Sequence, residues 1–195
     1  MTLFEFIGLV AGVIQAIGYI WYNVLAYKKI ITPNAGSWFI WSYGNAIICW
    51  QYILSGQHLT FKESLPVVCS ILCVLTAVFL VLLKRFAKIS LQEIVILIAD
   101  IAITMYWLLM KENVITQILL QTSVFISFIS IFKETRANPK LEQKGPWIIW
   151  SIAYCLLFIA EYNEGWVKWI FPIHYLVWHI IMAYVSSSSK SSTKN

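Results

Sequence analysis

Two short stretches carry the residues best suited to chemistry: Trp38-Phe39-Ile40-Trp41-Ser42 and Trp147-Ile148-Ile149-Trp150-Ser151, each placed at the start of an apolar run. Paired indoles at this spacing offer flat, electron-rich faces that stack on an aromatic ring or a sugar face. Trp38 has a simpler reading as a headgroup-level anchor, whereas Trp41 lies a turn deeper, where that reading weakens. Asn45 and Tyr154 follow Trp41 and Trp150 by four residues and extend the same helical faces. In the first apolar run Gln15, Tyr19 and Asn23 also recur every four residues, and Gln121 occupies a matching run later in the chain. An amide in hydrocarbon needs a partner or water, so such faces are expected to point into a bundle. The candidate solute-binding set is therefore Trp41, Trp150, Asn45, Gln15, Gln121, Tyr19 and Tyr154.

Asp100 is the acid placed deepest in an apolar run, and intramembrane acids are costly enough to mark coupling groups or buried hydrogen bonds. Asp100 and His174 are the candidate coupling residues. His174 and His179 are five apart and do not share a face as i, i+4 metal ligands would, so no metal site is expected. The four cysteines, Cys49, Cys69, Cys73 and Cys155, all fall in apolar runs and read as small buried hydrophobes. No nucleophile, base and acid fall on matching faces, so no catalytic residues and no cofactor are expected. A retinal Schiff base is not expected, because the last run has no mid-membrane lysine, Lys168 lying near its outer end.

These residues need elements to hold them. With 60% hydrophobic and only 12% charged residues, the 195-residue chain is too apolar for a soluble domain, in which about a quarter of residues carry charge. Runs at about 3–26, 37–54, 64–83, 90–110, 114–132, 146–161 and 166–185 predict seven transmembrane helices at roughly 20 residues per span. The first run lacks a basic leader and a small-residue cleavage site, and reads as a helix rather than a signal peptide. Eleven of the 14 basic residues lie in the loops after helices 1, 3 and 5 or in the tail. By the positive-inside rule the N-terminus is expected outside and the C-terminus in the cytoplasm. The net charge of +5 thus reflects membrane-flanking loops and implies no nucleic acid partner.

The two tryptophan stretches belong to a longer repeat. Gln15 and Gln121, Pro33 and Pro139, and Pro66 and Pro172 are each separated by 106 residues, and Trp41 and Trp150 by 109. Four landmarks in register point to a duplicated unit with a three-residue insertion in its second loop. The expected organisation is a first three-helix unit at 1–88, a linker helix at 89–112, a second three-helix unit at 113–185, and a disordered serine- and lysine-rich tail at 186–195. A single linker helix makes the repeats parallel, related by an axis along the membrane normal. Pro172 is expected to kink helix 7 or mark a hinge.

The chain resembles the SWEET and PQ-loop superfamily of small seven-helix transporters. The residues that carry the resemblance are Thr32-Pro33-Asn34 with Ser37 to Trp41, Asn138 to Glu142 with Trp147 to Trp150, and Trp107 in helix 4. It departs from the family in two places: Gln15 and Gln121 follow Ile14 and Leu120 instead of proline, and the paired asparagines of the sugar transporters in helices 3 and 7 are absent. The chain is also similar in topology to the nicotinamide riboside transporters of the Pnu type, which use paired tryptophans. The resemblance implies an all-α, SWEET-like integral membrane protein of the bacterial inner membrane, transporting a sugar, nucleoside or vitamin-like solute through a central site, and compatible with a homo-oligomer. The alternative is a multi-pass assembly or regulatory subunit whose tryptophans pack the two halves together.

Overall fold

The computed structural model describes residues 1–54, 60–84 and 87–187, and this portion is all-helical. Its helices are α1 (Leu3–Tyr27), α2 (Ala35–Leu54), α3 (Ser64–Leu83), α4 (Leu91–Met110), α5 (Asn113–Ala137), α6 (Lys144–Ala160) and α7 (Trp166–Ser187). They fall on the seven apolar runs. Five segments, Leu3–Tyr27, Phe61–Leu83, Leu91–Met110, Asn113–Ala137 and Trp166–Ser186, are long and apolar enough to cross a membrane. The tryptophan helices α2 and α6 are outside that set, α6 being a shorter apolar helix.

Local sequence explains the ends. Thr2 and Ser90 open α1 and α4 with reciprocal capping boxes to Glu5 and Glu93, satisfying amides that would otherwise be orphaned. α5 continues past residue 132, where its apolar run ends, because Lys133 and Arg136 suit the negative end of a helix dipole. α7 runs without a break through Pro172. The expected tail begins at residue 186, and nearly all of it lies outside the described residues.

α1 packs on α3 and α6, α2 on α3 and α5, α7 on α5 and α6, and α4 lies against α2 and α5. Gly8 and Gly12 let α1 approach the Phe61–Ser64 turn, where an added Cβ would stand 2.5 and 2.9 Å from Lys62 and Ser64. Large apolar side chains such as Ile20, Leu82, Ile98, Leu109 and Ile180 point outward, the arrangement expected of lipid-facing surfaces.

The connections sort to two ends. At one, which bears most of the basic residues, the Thr32 amide donates to the Leu141 carbonyl at 3.1 Å and the Ala87 amide to Pro33 at 3.0 Å, drawing three loops together. At the other, Lys62 pairs with Glu164, and Lys168 with Glu63 at 3.7 Å.

Candidate functional site

Between the ends lies an aromatic cage contributed by α1, α2, α5, α6 and α7. Trp38 and Trp41 enter from α2, Trp147, Trp150 and Tyr154 from α6, Tyr19 and Tyr22 from α1, Phe128 from α5, and Tyr175 and His179 from α7. The headgroup-anchor reading of Trp38 is overturned: the side chain is 1% exposed, walled in by Tyr19, Tyr22, Trp41 and Trp150. Its α6 counterpart Trp147 is equally enclosed. Apolar runs mark which segments are buried in lipid but not which side of each helix faces protein, and here both tryptophans of each pair turn inward.

Every one of the four indole N–H groups is used within the protein. Trp38 donates to the Tyr22 hydroxyl at 3.2 Å, Trp41 to Ser127 Oγ at 2.7 Å, Trp147 to Glu142 Oε2 at 3.1 Å and Trp150 to the Gln15 carbonyl at 3.3 Å. The last contact depends on Gly18, where a Cβ would fall 2.3 Å from the Trp150 indole nitrogen. Trp41 instead stacks on Phe128 with centroids 4.7 Å apart. With their donors spent, the indoles present faces.

The hydroxyls are also engaged. Tyr19 shares hydrogen bonds with Cys73 at 2.8 Å and Cys69 at 3.2 Å, and Tyr154 with Cys69 at 3.4 Å. Tyr175 donates to Asn45 Oδ1 at 3.4 Å, while Asn45 donates to the Trp41 carbonyl at 2.8 Å. His179 Nδ1 lies 2.6 Å from the Tyr175 carbonyl. A carbonyl has no proton to give, so Nδ1 carries the hydrogen and Nε2 is an acceptor. Gln15 Oε1 is buried without a partner. The cage therefore offers acceptors and ring faces, and no ionised side chain lines its cavity.

That cavity is bounded by Gln15, Tyr19, Trp38, Trp41, Cys73, Phe128, Trp150, Tyr154, Tyr175 and His179, and encloses only about 10 Å³. Such a volume accommodates about one water molecule, so a ring-sized solute enters only if the helices separate.

Of the residues singled out in sequence, Gln15, Tyr19, Trp41, Trp150 and Tyr154 line this cavity. Asn45 stands behind it, reaching Cys73 Sγ at 3.7 Å and Tyr175. Gln121 and His174 lie elsewhere: they meet at 2.5 Å in a lateral groove that also involves Phe125 and Ile170 of α5 and α7. Asp100 faces neither place. It is fully buried on α4 beside Ser123.

Sequence reasoning passed over Tyr22, Phe128, Tyr175 and Glu142. Tyr22 extends the Gln15–Tyr19 face at i+7, and Tyr175 precedes His179 by four, so helical spacing held both signals. Glu142 had no such signal. It is an acid in a basic loop, yet it is 2% exposed, accepting from Tyr22 at 2.8 Å as well as from Trp147. Burial pushes its carboxyl up to about 8, against the pull of those two donors, and the nearby Glu134 adds to the rise.

Among the described residues no group of three or more metal-ligating side chains comes together. The chain matches no family model, no curated protein and no solved structure.

Proposed function

We propose that this protein is a membrane carrier for a small flat solute that is uncharged or cationic, bound in the aromatic cage between two three-helix units. The observation that carries the reading is the convergence of equivalent tryptophans from α2 and α6 on one enclosed cavity in which Gln15 Oε1 stands ready as an acceptor and the His179 ring forms part of the wall. A buried acceptor without a partner costs about 1–3 kcal/mol, which a donor on a solute would recover. Electron-rich ring faces attract cations and stack on flat rings, and repel anions.

The parallel-repeat architecture is part of this proposal. In its favour, Trp150 of α6 reaches α1 and Trp41 of α2 reaches α5, so that each tryptophan contacts the first helix of the other unit. The basic end is taken as cytoplasmic in a bacterial inner membrane.

A second reading, in which the tryptophans only pack the halves of a non-transporting subunit, is favoured by the small cavity volume. The experiment that separates the two is a thermal-shift screen of the purified protein against sugars, nucleosides and vitamins, followed by affinity measurements on Trp41→Ala and Trp150→Ala. Stacking is worth roughly 0.5–1.5 kcal/mol beyond burial, so either substitution should weaken binding several-fold to about tenfold. If nothing in the screen binds, or if both variants bind like the parent while melting earlier, the packing role stands.

A further inference from the structure

The three residues inserted in the second loop have a structural consequence at the basic end. In the first unit, Pro33 is followed by Trp38 after five positions; in the second, Pro139 is followed by Trp147 after eight. The longer loop carries Glu142 inward. Its Oε1 accepts from Tyr22 of α1 and its Oε2 from Trp147 of α6, while Tyr22 in turn accepts from Trp38 of α2. One carboxyl thus ties three helices together at the basic end, one hydrogen bond removed from Trp38 of the cavity wall.

We propose that Glu142 is a proton-binding latch: the basic-end mouth of the cage shuts with uptake of one proton and opens as pH on that side rises. This rests on the reading of the cage as a cavity that opens, and adds its regulation. The same contacts serve either form of the carboxyl. Ionised, it accepts from both donors; neutral, it gives its own proton to the Tyr22 oxygen, whose hydroxyl hydrogen then turns away from it, while the other oxygen still accepts from Trp147.

The surroundings set the sign. From α5, Glu134 faces Glu142 and opposes its ionisation, being itself held by the Asn34 amide at 2.9 Å. From α1 comes the neutral Tyr22 hydroxyl; α2 contributes Trp38 through that hydroxyl, and α7 contributes His179 across the Trp147 ring at 5.3 Å. The loop lysines Lys140 and Lys144 are exposed, and among the described residues no cation forms an ion pair with Glu142. Shut, the carboxyl titrates at about 8; open to water, it returns toward the ordinary 4.5. Closure is therefore independent of pH below about 4.5, weakens by up to about tenfold per pH unit between those values, and loses nothing further above about 8. Because the proton enters and leaves on the same side, the latch gates the cavity and moves no net proton across the membrane.

Cys73 lines the cavity and reports on the mouth without any solute. In a background with Cys49, Cys69 and Cys155 replaced by alanine, its rate of labelling by methyl methanethiosulfonate is measured from pH 6 to 9 in lipid nanodiscs. Glu142→Gln provides the reference, because its amide donates to Tyr22 and accepts from Trp147 as the neutral acid does, and dividing by its rate cancels the titration of the thiol itself. The ratio is expected to climb between pH 6 and 8, by up to about tenfold per unit, and then level off. A flat ratio overturns the proposal. Should Glu142→Gln not fold, Tyr22→Phe replaces it: with one of the donors that favour the ionised carboxyl gone, the climb in labelling should extend to higher pH than in the parent, and an unchanged profile overturns the proposal equally. A failed solute screen would sink the carrier reading and leave this measurement intact; a flat profile in a protein that binds solute would remove only the latch.

Discussion

The two ends of the bundle are closed by different physics. At the basic end the closing group is one buried carboxyl held by neutral donors, Tyr22 and Trp147, under a layer of indoles. At the other end charged side chains meet near the surface, Lys62 with Glu164 and Lys168 with Glu63. The first answers to desolvation, so it responds to pH and little to salt. The second answers to Coulomb attraction in water, which salt screens. Glu164 and Glu142 also respond to acid in opposite senses. The hydrogen bond from Lys62 holds the Glu164 carboxyl below its usual range, so that contact is present at neutral pH and lost as pH falls. Glu142 is raised, so its buried arrangement is favoured as pH falls and lost on the way up to about 8. Glu161, beneath the ion pairs, is likewise pushed up to about 8 by burial, with Lys168 pulling against it.

Substitution at matched positions sharpens the contrast. The largest effect belongs to Trp147→Ala, which empties a fully buried indole site and strands Glu142 Oε2. It should cost about 3–5 kcal/mol in unfolding free energy. Trp166→Ala at the other end removes an indole that is 63% exposed and should stay within about 0.5 kcal/mol. Equal losses of melting temperature for the two would mean that the cage is no more tightly built than the rim.

Next comes the acid itself. Glu142→Ala leaves the Tyr22 hydroxyl and Trp147 N–H buried without their shared partner, at about 1–3 kcal/mol for each orphaned group. Glu164→Ala breaks an exposed pair and should cost less than about 1 kcal/mol after solvent screening. Denaturation in mild detergent at pH 6 compares them directly, and a larger loss for Glu164→Ala would reverse the assignment of the two ends.

The smallest effect is that of salt. Raising ionic strength from 0.1 to 1 M shortens the screening length from about 10 to 3 Å, and should lower the parent's stability by a fraction of a kcal/mol. Glu164→Ala should have lost most of that response, while Glu142→Ala should keep it. A parent and a Glu164→Ala variant with the same salt dependence would show that the ion pairs contribute nothing measurable.

What could be read from the sequence follows from local rules. A run of about 20 apolar residues cannot stay in water, so the number and position of the helices were legible from hydropathy, and the described helices fall on those runs. The faces bearing Gln15 with Tyr19, and Trp41 with Asn45, were legible from helical spacing, because side chains four apart are bound to lie on one side. The gathering of loops at one end follows from the alternation of helices, and the basic residues had already marked those loops.

Other features depended on which helix meets which, and spacing carries no information on that. Gln15 and Gln121 hold matching places in the chain, yet only Gln15 reaches the cavity. Gly18 lets α6 lie close on α1, whereas the residue 106 positions later is Val124, which faces Gly44 with room to spare: a Cβ added at Gly44 would stand an ordinary 3.6 Å from it. Asp100 looked like the acid of the site because it sits mid-run, but α4 packs outside the cage, against α2 and α5. Glu142 stands between Lys140 and Lys144 in a basic loop, a setting that gives no sign of burial. Its burial was decided by Tyr22 and Trp147 closing over it, one of them 120 residues away along the chain. Desolvation is a property of the assembled surroundings, and only the tertiary structure supplies them.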